Sequence, residues 1–213
     1  MSPEPSSCTI ILVAGPSGSG KSRLSSQTGV PQVRLDDFYF DHDHPDLPVR
    51  SLPGGGSIVD WDDVRTWDLA GATSTLAGLS RTGSATVPNY DISRSQAFGS
   101  HQFNAAGSPA VICEGIFAID LLAPLRQEGV PVEAIWLDRP RWFNFARRLQ
   151  RDLRQRRKPP SVLVRRGIAL LRLEPALRRR ALAAGFTPLG MSGAAAQVEA
   201  IRNGRQSLSQ RPS

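Results

Sequence analysis

The stretch TIILVAGPSGSGKS, Thr9 to Ser22, decides how this chain is read. Its first half, Thr9 to Ala14, is a short unbroken apolar run, which predicts a strand covered on both faces. Its second half, Gly15 to Ser22, fits G-x-x-x-x-G-K-[ST] and leads into a helix. In that setting the loop's backbone N–H groups and the helix N-terminus converge on polyphosphate oxygens. The glycines permit positive φ and close approach of the backbone. Lys21 neutralises the β and γ phosphates, and Ser22 offers a hard oxygen to Mg²⁺. Gly15, Pro16, Ser17, Gly18, Ser19, Gly20, Lys21 and Ser22 are therefore expected to hold a nucleoside triphosphate. Switches, motors, transporters and kinases share such a cradle, so the second substrate has to be read elsewhere.

Working outward, Gln32 to Leu35 is a second strand candidate ending in Asp36-Asp37-Phe38-Tyr39. Residues 41 to 58 hold three prolines and a glycine triplet and predict a long loop. Asp62 to Leu79 reads as a helix and Ala85 to Phe103 as a hairpin. Ala110 to Cys113 and Val132 to Leu137 read as buried strands that end at Glu114 and Asp138. Arg141 to Lys158 has helical period, with Trp142, Phe145, Ala146, Leu149 and Leu153 on one face and Arg147, Arg151, Arg154 and Lys158 opposite. Ser161 to Leu173 and Pro175 to Ala184 predict two more helices, the second opened by its proline and closed by Gly185. Strands alternating with helices predict an α/β fold with a parallel sheet and functional groups gathered at the strand ends.

The chain has 213 residues, enough for one substantial core. Two cysteines, Cys8 and Cys113, exclude a disulfide framework and a Cys-rich metal site, and a cytoplasmic setting is expected. No apolar run near the start is long enough for a membrane span, so no membrane partner is expected. The net charge of +7 conceals a division. Residues 1–138 hold 8 basic and 16 acidic side chains, whereas residues 139–213 hold 18 and 3. Such a basic third suits a polyanion, either nucleic acid or the phosphates of a nucleotide.

Asp36 and Asp37 lie at the carboxyl edge that also carries the cradle. A carboxylate there can take the proton of an attacking hydroxyl and orient it for in-line transfer. Glu114 ends an apolar strand, where a carboxylate is costly unless it faces metal-bound water. His42 and His44 alternate with Asp41 and Asp43, but the proline-rich setting reads as a solvated polar loop rather than a metal site. Arg165, Arg166 and Arg178 to Arg180 read as surplus surface charge.

In order and spacing, GPSGSGKS, LDDFY (Leu35 to Tyr39), Tyr90-Asp91 of PNYDIS, CEGIFA (Cys113 to Ala118) and RRLQRD (Arg147 to Asp152) resemble the uridine–cytidine kinases, relatives of phosphoribulokinase and bacterial pantothenate kinase. The resemblance implies a P-loop NTPase fold with an Arg-rich helical lid near residues 147–160 and a small β-hairpin insertion for substrate. The resemblance spans about Thr9 to Arg157 and implies one kinase domain, expected over residues 9–202, while the lack of periodicity at 1–8 and 203–213 predicts flexible ends. Asp36 becomes the catalytic base, Glu114 joins Ser22 in serving Mg²⁺, and Lys21, Arg148, Arg151 and Arg157 hold the triphosphate of ATP or GTP. Asp60, Tyr90, Asp91 and Arg94 become acceptor contacts.

Two departures bear on the acceptor. Where the family has an aromatic-Asp-His-Pro segment, the nearest match is Val59-Asp60-Trp61-Asp62, and where it has a base-reading His, this chain has Ser93-Arg94-Ser95. The resemblance thus implies transfer of a γ-phosphate to the 5′-hydroxyl of a nucleoside, with another hydroxylated metabolite as the alternative acceptor. An NTP-dependent nucleic-acid-binding protein is a third, weaker reading, because no aromatic-basic RNA motif is visible. A homo-oligomer is left open.

Overall fold

A computed structural model describes residues 8–52, 54–154 and 160–204. In chain order the elements are β1 (Thr9–Ala14), α1 (Lys21–Thr28), β2 (Gln32–Arg34), β3 (Val49–Ser51), β4 (Ser57–Val59), α2 (Leu69–Thr82), β5 (Ser84–Asp91), β6 (Gln96–Asn104), β7 (Ala110–Glu114), α3 (Ala118–Gln127), β8 (Val132–Leu137), α4 (Arg141–Arg154), α5 (Pro160–Ala184), β9 (Thr187–Leu189) and α6 (Met191–Arg202). Short 3₁₀ turns occupy Leu35–Phe38 and Val64–Thr66.

The central sheet is parallel, in the order β2-β7-β1-β8-β9. Alternate residues of β1 feed two cores. Ile10, Leu12 and Ala14 face the layer that contains Leu76, Leu79, Leu121, Leu122 and Leu125, while Ile11 and Val13 face Leu24, Ala194 and Val198. Strands β1 and β7 are buried on both faces, which is why they read as continuous apolar runs. Fully burying one such Leu or Ile is worth about 1.5–3 kcal/mol. Among the described residues no helix is long and apolar enough to cross a membrane.

The hairpin of β5 and β6 stands off as an antiparallel pair with an irregularity between Pro88 and Tyr90. A second small ribbon, β3 with β4, lies inside the stretch expected to be loop throughout. The helix expected from Asp62 begins only at Leu69. Asp63 accepts the N–H of Arg65 at 2.9 Å and Asp68 that of Gly71 at 2.8 Å, so two side-chain caps divide the segment into a 3₁₀ turn and a helix. Cys8, expected in a flexible end, is buried and donates its N–H to Ser80 O. The ends at 1–7 and 205–213 lie outside the described residues.

The two helices expected either side of Leu173 are one, with Pro175 inside α5. Proline lacks the N–H that would bond the carbonyl four residues back. That carbonyl, Leu171 O, instead accepts from Arg141 Nη2 at 2.6 Å, so a side chain of α4 compensates for the break. The expected apolar face of α4 is also corrected: Trp142 is 70% exposed and Ala146 is exposed. The seam with α5 runs through Phe145, whose ring lies where a Cβ on Gly167 would stand, 2.5 Å away. A glycine there lets the two helices approach over one aromatic ring, leaving Trp142 off the contact. Nor are Arg178 and Arg180 surplus. Arg178 pairs with Asp138 at 2.8 Å and Arg180 pairs with Asp120, tying α5 to β8 and α3.

The last helix returns to the first. Arg202 Nη1 donates to Thr28 O at 2.7 Å at the end of α1, and Met191 Cε lies 2.9 Å from where a Cβ on Gly20 would be.

Candidate active site

β1 ends at Ala14, and the cradle follows at the carboxyl edge of the sheet. Gly15, Gly18 and Gly20 have φ of 151°, 90° and 99°, conformations that side chains resist. Gly20 is the residue before α1, so the loop turns directly into a helix N-terminus. Lys21 Nζ donates to Gly15 O at 2.9 Å and Pro16 O at 3.4 Å, which folds its side chain back along the loop. Ser19 is fully buried inside the loop, and its Oγ has no partner.

On the neighbouring strand β7, Glu114 Oε1 accepts the hydroxyl of Ser22 at 2.9 Å and Gln32 Nε2 at 3.1 Å. The sequence distance between Ser22 and Glu114 disappears because β1 and β7 pair in register, with Val13 beside Glu114. A hydroxyl and a carboxylate at the edge of a phosphate cradle are hard oxygen donors and fit Mg²⁺, which takes most of its remaining ligands from phosphate and water.

Asp36 stands in the 3₁₀ turn after β2. Two features seat that turn against Glu114. Gly115 has no side chain where a Cβ would lie 2.6 Å from Leu35 Cβ and 3.4 Å from Asp36 Oδ1. Buried Trp67 donates Nε1–H to Leu35 O at 2.6 Å. Burial raises the Asp36 carboxyl above the ordinary carboxylate value and the charge of Glu114 raises it further, while Lys21 and Arg34 oppose the shift. A carboxylate so destabilised accepts a proton more readily than one in water. Asp37 faces elsewhere. It is buried, lies 3.8 Å from Arg34 Nη1, and lines a cleft of about 220 Å³ with Arg34, Asn89, Tyr90, Phe98 and His101.

The expected acceptor contacts are dispersed. Tyr90 has a buried ring and donates its hydroxyl to Phe40 O at 2.9 Å. Asp91 accepts Ser93 N–H at 2.8 Å and Ser93 Oγ–H at 2.6 Å, with Arg94 Nε 3.6 Å away, so its carboxyl shapes the hairpin turn and is held below the usual range. Asp60 lies in the turn that precedes Trp61, its N–H bonded to Pro48 O. Desolvation of the half-buried Tyr39 phenol opposes its ionisation, and the charges of Asp36 and then of the following acid, Asp62, add to the effect. Tyr39 donates its hydroxyl to Trp61 O at 3.2 Å and packs its ring against Trp61, Tyr90 and Phe117, forming an aromatic wall beside Asp36. Trp61-Asp62 is itself an aromatic-Asp pair, one register along from the match at Asp60. Among the described residues no group of three or more His, Cys, Asp or Glu surrounds a metal position. In the His42–His44 loop, His42 N–H bonds Ser95 O and the His44 ring stacks on Phe40.

On the donor side, the side chains of Arg148 and Arg151, and Arg157 altogether, lie outside the described residues. A different set reaches the cradle. Arg147 Nη1 is 3.7 Å from the Cβ position of Gly20. Arg147 and Arg139 place their guanidinium carbons 5.7 and 5.2 Å from the centre of the Phe143 ring.

A scan against protein-family models returns no match. The chain is 28% identical over 170 residues to the uridine kinase of Psychromonas ingrahamii, spanning 74% of this chain and 75% of that one. It is 28% identical over 163 residues to the uridine kinase of Mannheimia succiniciproducens, spanning 71% and 70%. In structure it resembles a protein described as a fructose transport system kinase from Silicibacter sp. TM1040, with a TM-score of 0.55 and 22% identity over 88% of this chain and 90% of that one, a likeness of fold. A cradle, an edge carboxylate on β7 and a second acid beyond β2 thus stand on one parallel sheet in a chain that is similar in sequence to uridine kinases and has the fold of a P-loop kinase.

Proposed function

We propose that this P-loop small-molecule kinase transfers the γ-phosphate of ATP or GTP to the 5′-hydroxyl of a uridine- or cytidine-like nucleoside. The observation that carries the proposal is the setting of Asp36: a half-buried carboxyl with raised proton affinity, beside Glu114 and Lys21, at the carboxyl edge that presents the cradle. Asp36 takes the proton of the attacking hydroxyl and fixes its line of approach. The Gly15 to Gly20 backbone and Lys21 hold the phosphate chain in place. Ser22 and Glu114 would hold Mg²⁺, which supplies charge neutralisation between the phosphates when bound. The wall of Tyr39 and Trp61, backed by buried Tyr90, offers an apolar surface for the acceptor's ring, and Asp60 or Asp62 would bond its hydroxyls.

Asp36→Asn tests the reading: turnover should fall by at least about 10²-fold, the scale of a lost general base, while ATP affinity holds. Undiminished turnover removes Asp36 from the reaction. A second reading, a non-nucleoside acceptor, is favoured by the occupation of Tyr90 and Asp91 in intramolecular bonds. ADP release scored across nucleosides, sugars and sugar phosphates separates the two, and a clear preference for a non-nucleoside establishes the second.

A further inference from the structure

Three cations gather beside the cradle, and among the described residues none of them has a carboxylate partner. Arg23 lies in the first turn of α1, Arg139 follows β8, and Arg147 is on α4. None forms an ion pair with a carboxylate among the described residues, although other arginines of this chain do so readily, as at Asp63, Asp120 and Asp138. Arg139 Nε is buried and has no hydrogen-bond partner among the described residues. Arg139 and Arg147 both approach the Phe143 ring, and Arg147 reaches to Gly20 at the mouth of the loop. Burial, then the like charges of Arg147 and Arg23, pull the Arg139 guanidinium below its ordinary value, so the cluster is disfavoured as it stands. Guanidinium groups present planar, fixed N–H donors suited to phosphate oxygens. An arrangement of like charges at the start of a phosphate-binding helix is relieved by an anion placed among them, and a purine edge does not supply that charge.

We propose that Arg23, Arg139 and Arg147 form a phosphate-chain subsite that grips the donor independently of its base, so that bare inorganic tripolyphosphate occupies the same site as ATP. The inference rests on the donor cradle of the kinase reading and adds residues that the lid motif does not name. Arg139 is the new member. It lies outside the RRLQRD stretch, and Phe143 holds it and Arg147 over one ring so that both can meet the same chain of phosphates. A donor site of this kind reads charge and length rather than a hydrogen-bonding edge.

Displacement of a fluorescent ATP analogue, with Mg²⁺ present, tests the proposal on the full chain. Tripolyphosphate should displace the analogue at concentrations within about tenfold of those needed with ATP. Arg139→Ala should weaken both ligands by a common factor of about tenfold, and Arg147→Ala should do the same, because each removes charge-assisted bonds to phosphate. Raising salt should weaken wild type more steeply than either variant. Failure of tripolyphosphate to compete at a hundredfold excess over ATP overturns the proposal. So does an Arg139→Ala loss confined to ATP, which would assign Arg139 to the base, or no loss at all. Turnover by wild type and its absence in Asp36→Asn are measured separately, so the transfer reaction can stand while this subsite falls.

Discussion

Gly115→Ala puts the placement of Asp36 to a quantitative test. The added methyl would lie 2.6 Å from Leu35 Cβ, 3.5 Å from Leu35 Cα and 3.4 Å from Asp36 Oδ1. Carbon atoms rest about 3.5–4.0 Å apart, so the Leu35–Phe38 turn has to retreat by about 1 Å. Neither contact atom of Leu35 is the far end of a flexible side chain, so the strain falls on backbone. A shift of about 1 Å at a reacting group costs on the order of 10²-fold in rate. Overpacking costs about 1–3 kcal/mol in stability, which for a chain of this size lowers the melting temperature by roughly 2–10 °C. Coupled measurement of ADP release, ATP-analogue binding and melting gives the three readouts. The expected pattern is a collapse in turnover, near-normal nucleotide affinity and a modest loss of stability. Gly78→Ala is the control. No neighbour lies within 4 Å of its Cβ position inside α2, so the variant should keep its activity and gain about 0.5–1 kcal/mol. Wild-type turnover in Gly115→Ala would mean that the turn does not set the catalytic geometry.

Three further outcomes follow from the same contacts. The Asp36 carboxyl is raised, so the folded state holds its proton more tightly than the unfolded chain, and its contribution to stability falls as pH rises through the window between the two values. Asp36→Asn should therefore melt higher than wild type at neutral pH, with the difference closing below the ordinary carboxylate range, and the acid limb of wild-type turnover should lie above that range. Gln32→Met removes a donor to Glu114 while keeping side-chain length; the Mg²⁺ needed for half-maximal turnover should rise about tenfold with metal-free ATP binding unchanged, and an unmoved Mg²⁺ requirement would dismiss Gln32 as an orienting group. Trp67→Phe leaves Leu35 O without its indole partner and should cost about 1–3 kcal/mol in urea unfolding, together with a drop in turnover.

The parts of this site that could be read from sequence are those carried by short contiguous stretches. Thr9 to Ser22 states its strand, loop and helix in order, and Glu114 announces itself as an acid closing an apolar run. Strand β7 and the end of β8 could be located because burial on both faces leaves a largely apolar signature. Pro175 misled because a proline at the first position of a helix and one inside it look alike along the chain; the compensating donor, Arg141, is 34 residues away. The short strand β9 and the return of α6 carry too little pattern to stand out. Gln32 belongs to no motif, and its bond to Glu114 arises only from the pairing of β2 with β7. Arg147 belongs to the RRLQRD motif, whereas Arg139 belongs to none, and the lack of a carboxylate partner for it among the described residues is a property of space and not of order.

The contact of Met191 with the Gly20 position, and of Arg202 with the end of α1, has a bearing on how the enzyme is made. During synthesis the cradle loop emerges some 170 positions before the helix that braces it. Such long-range closure is slow relative to local helix formation. A ribosome-bound chain stalled before Met191 should carry the loop's sequence without its nucleotide affinity, and a substitution in α6 far from any chemistry can silence the enzyme by withholding that final buttress.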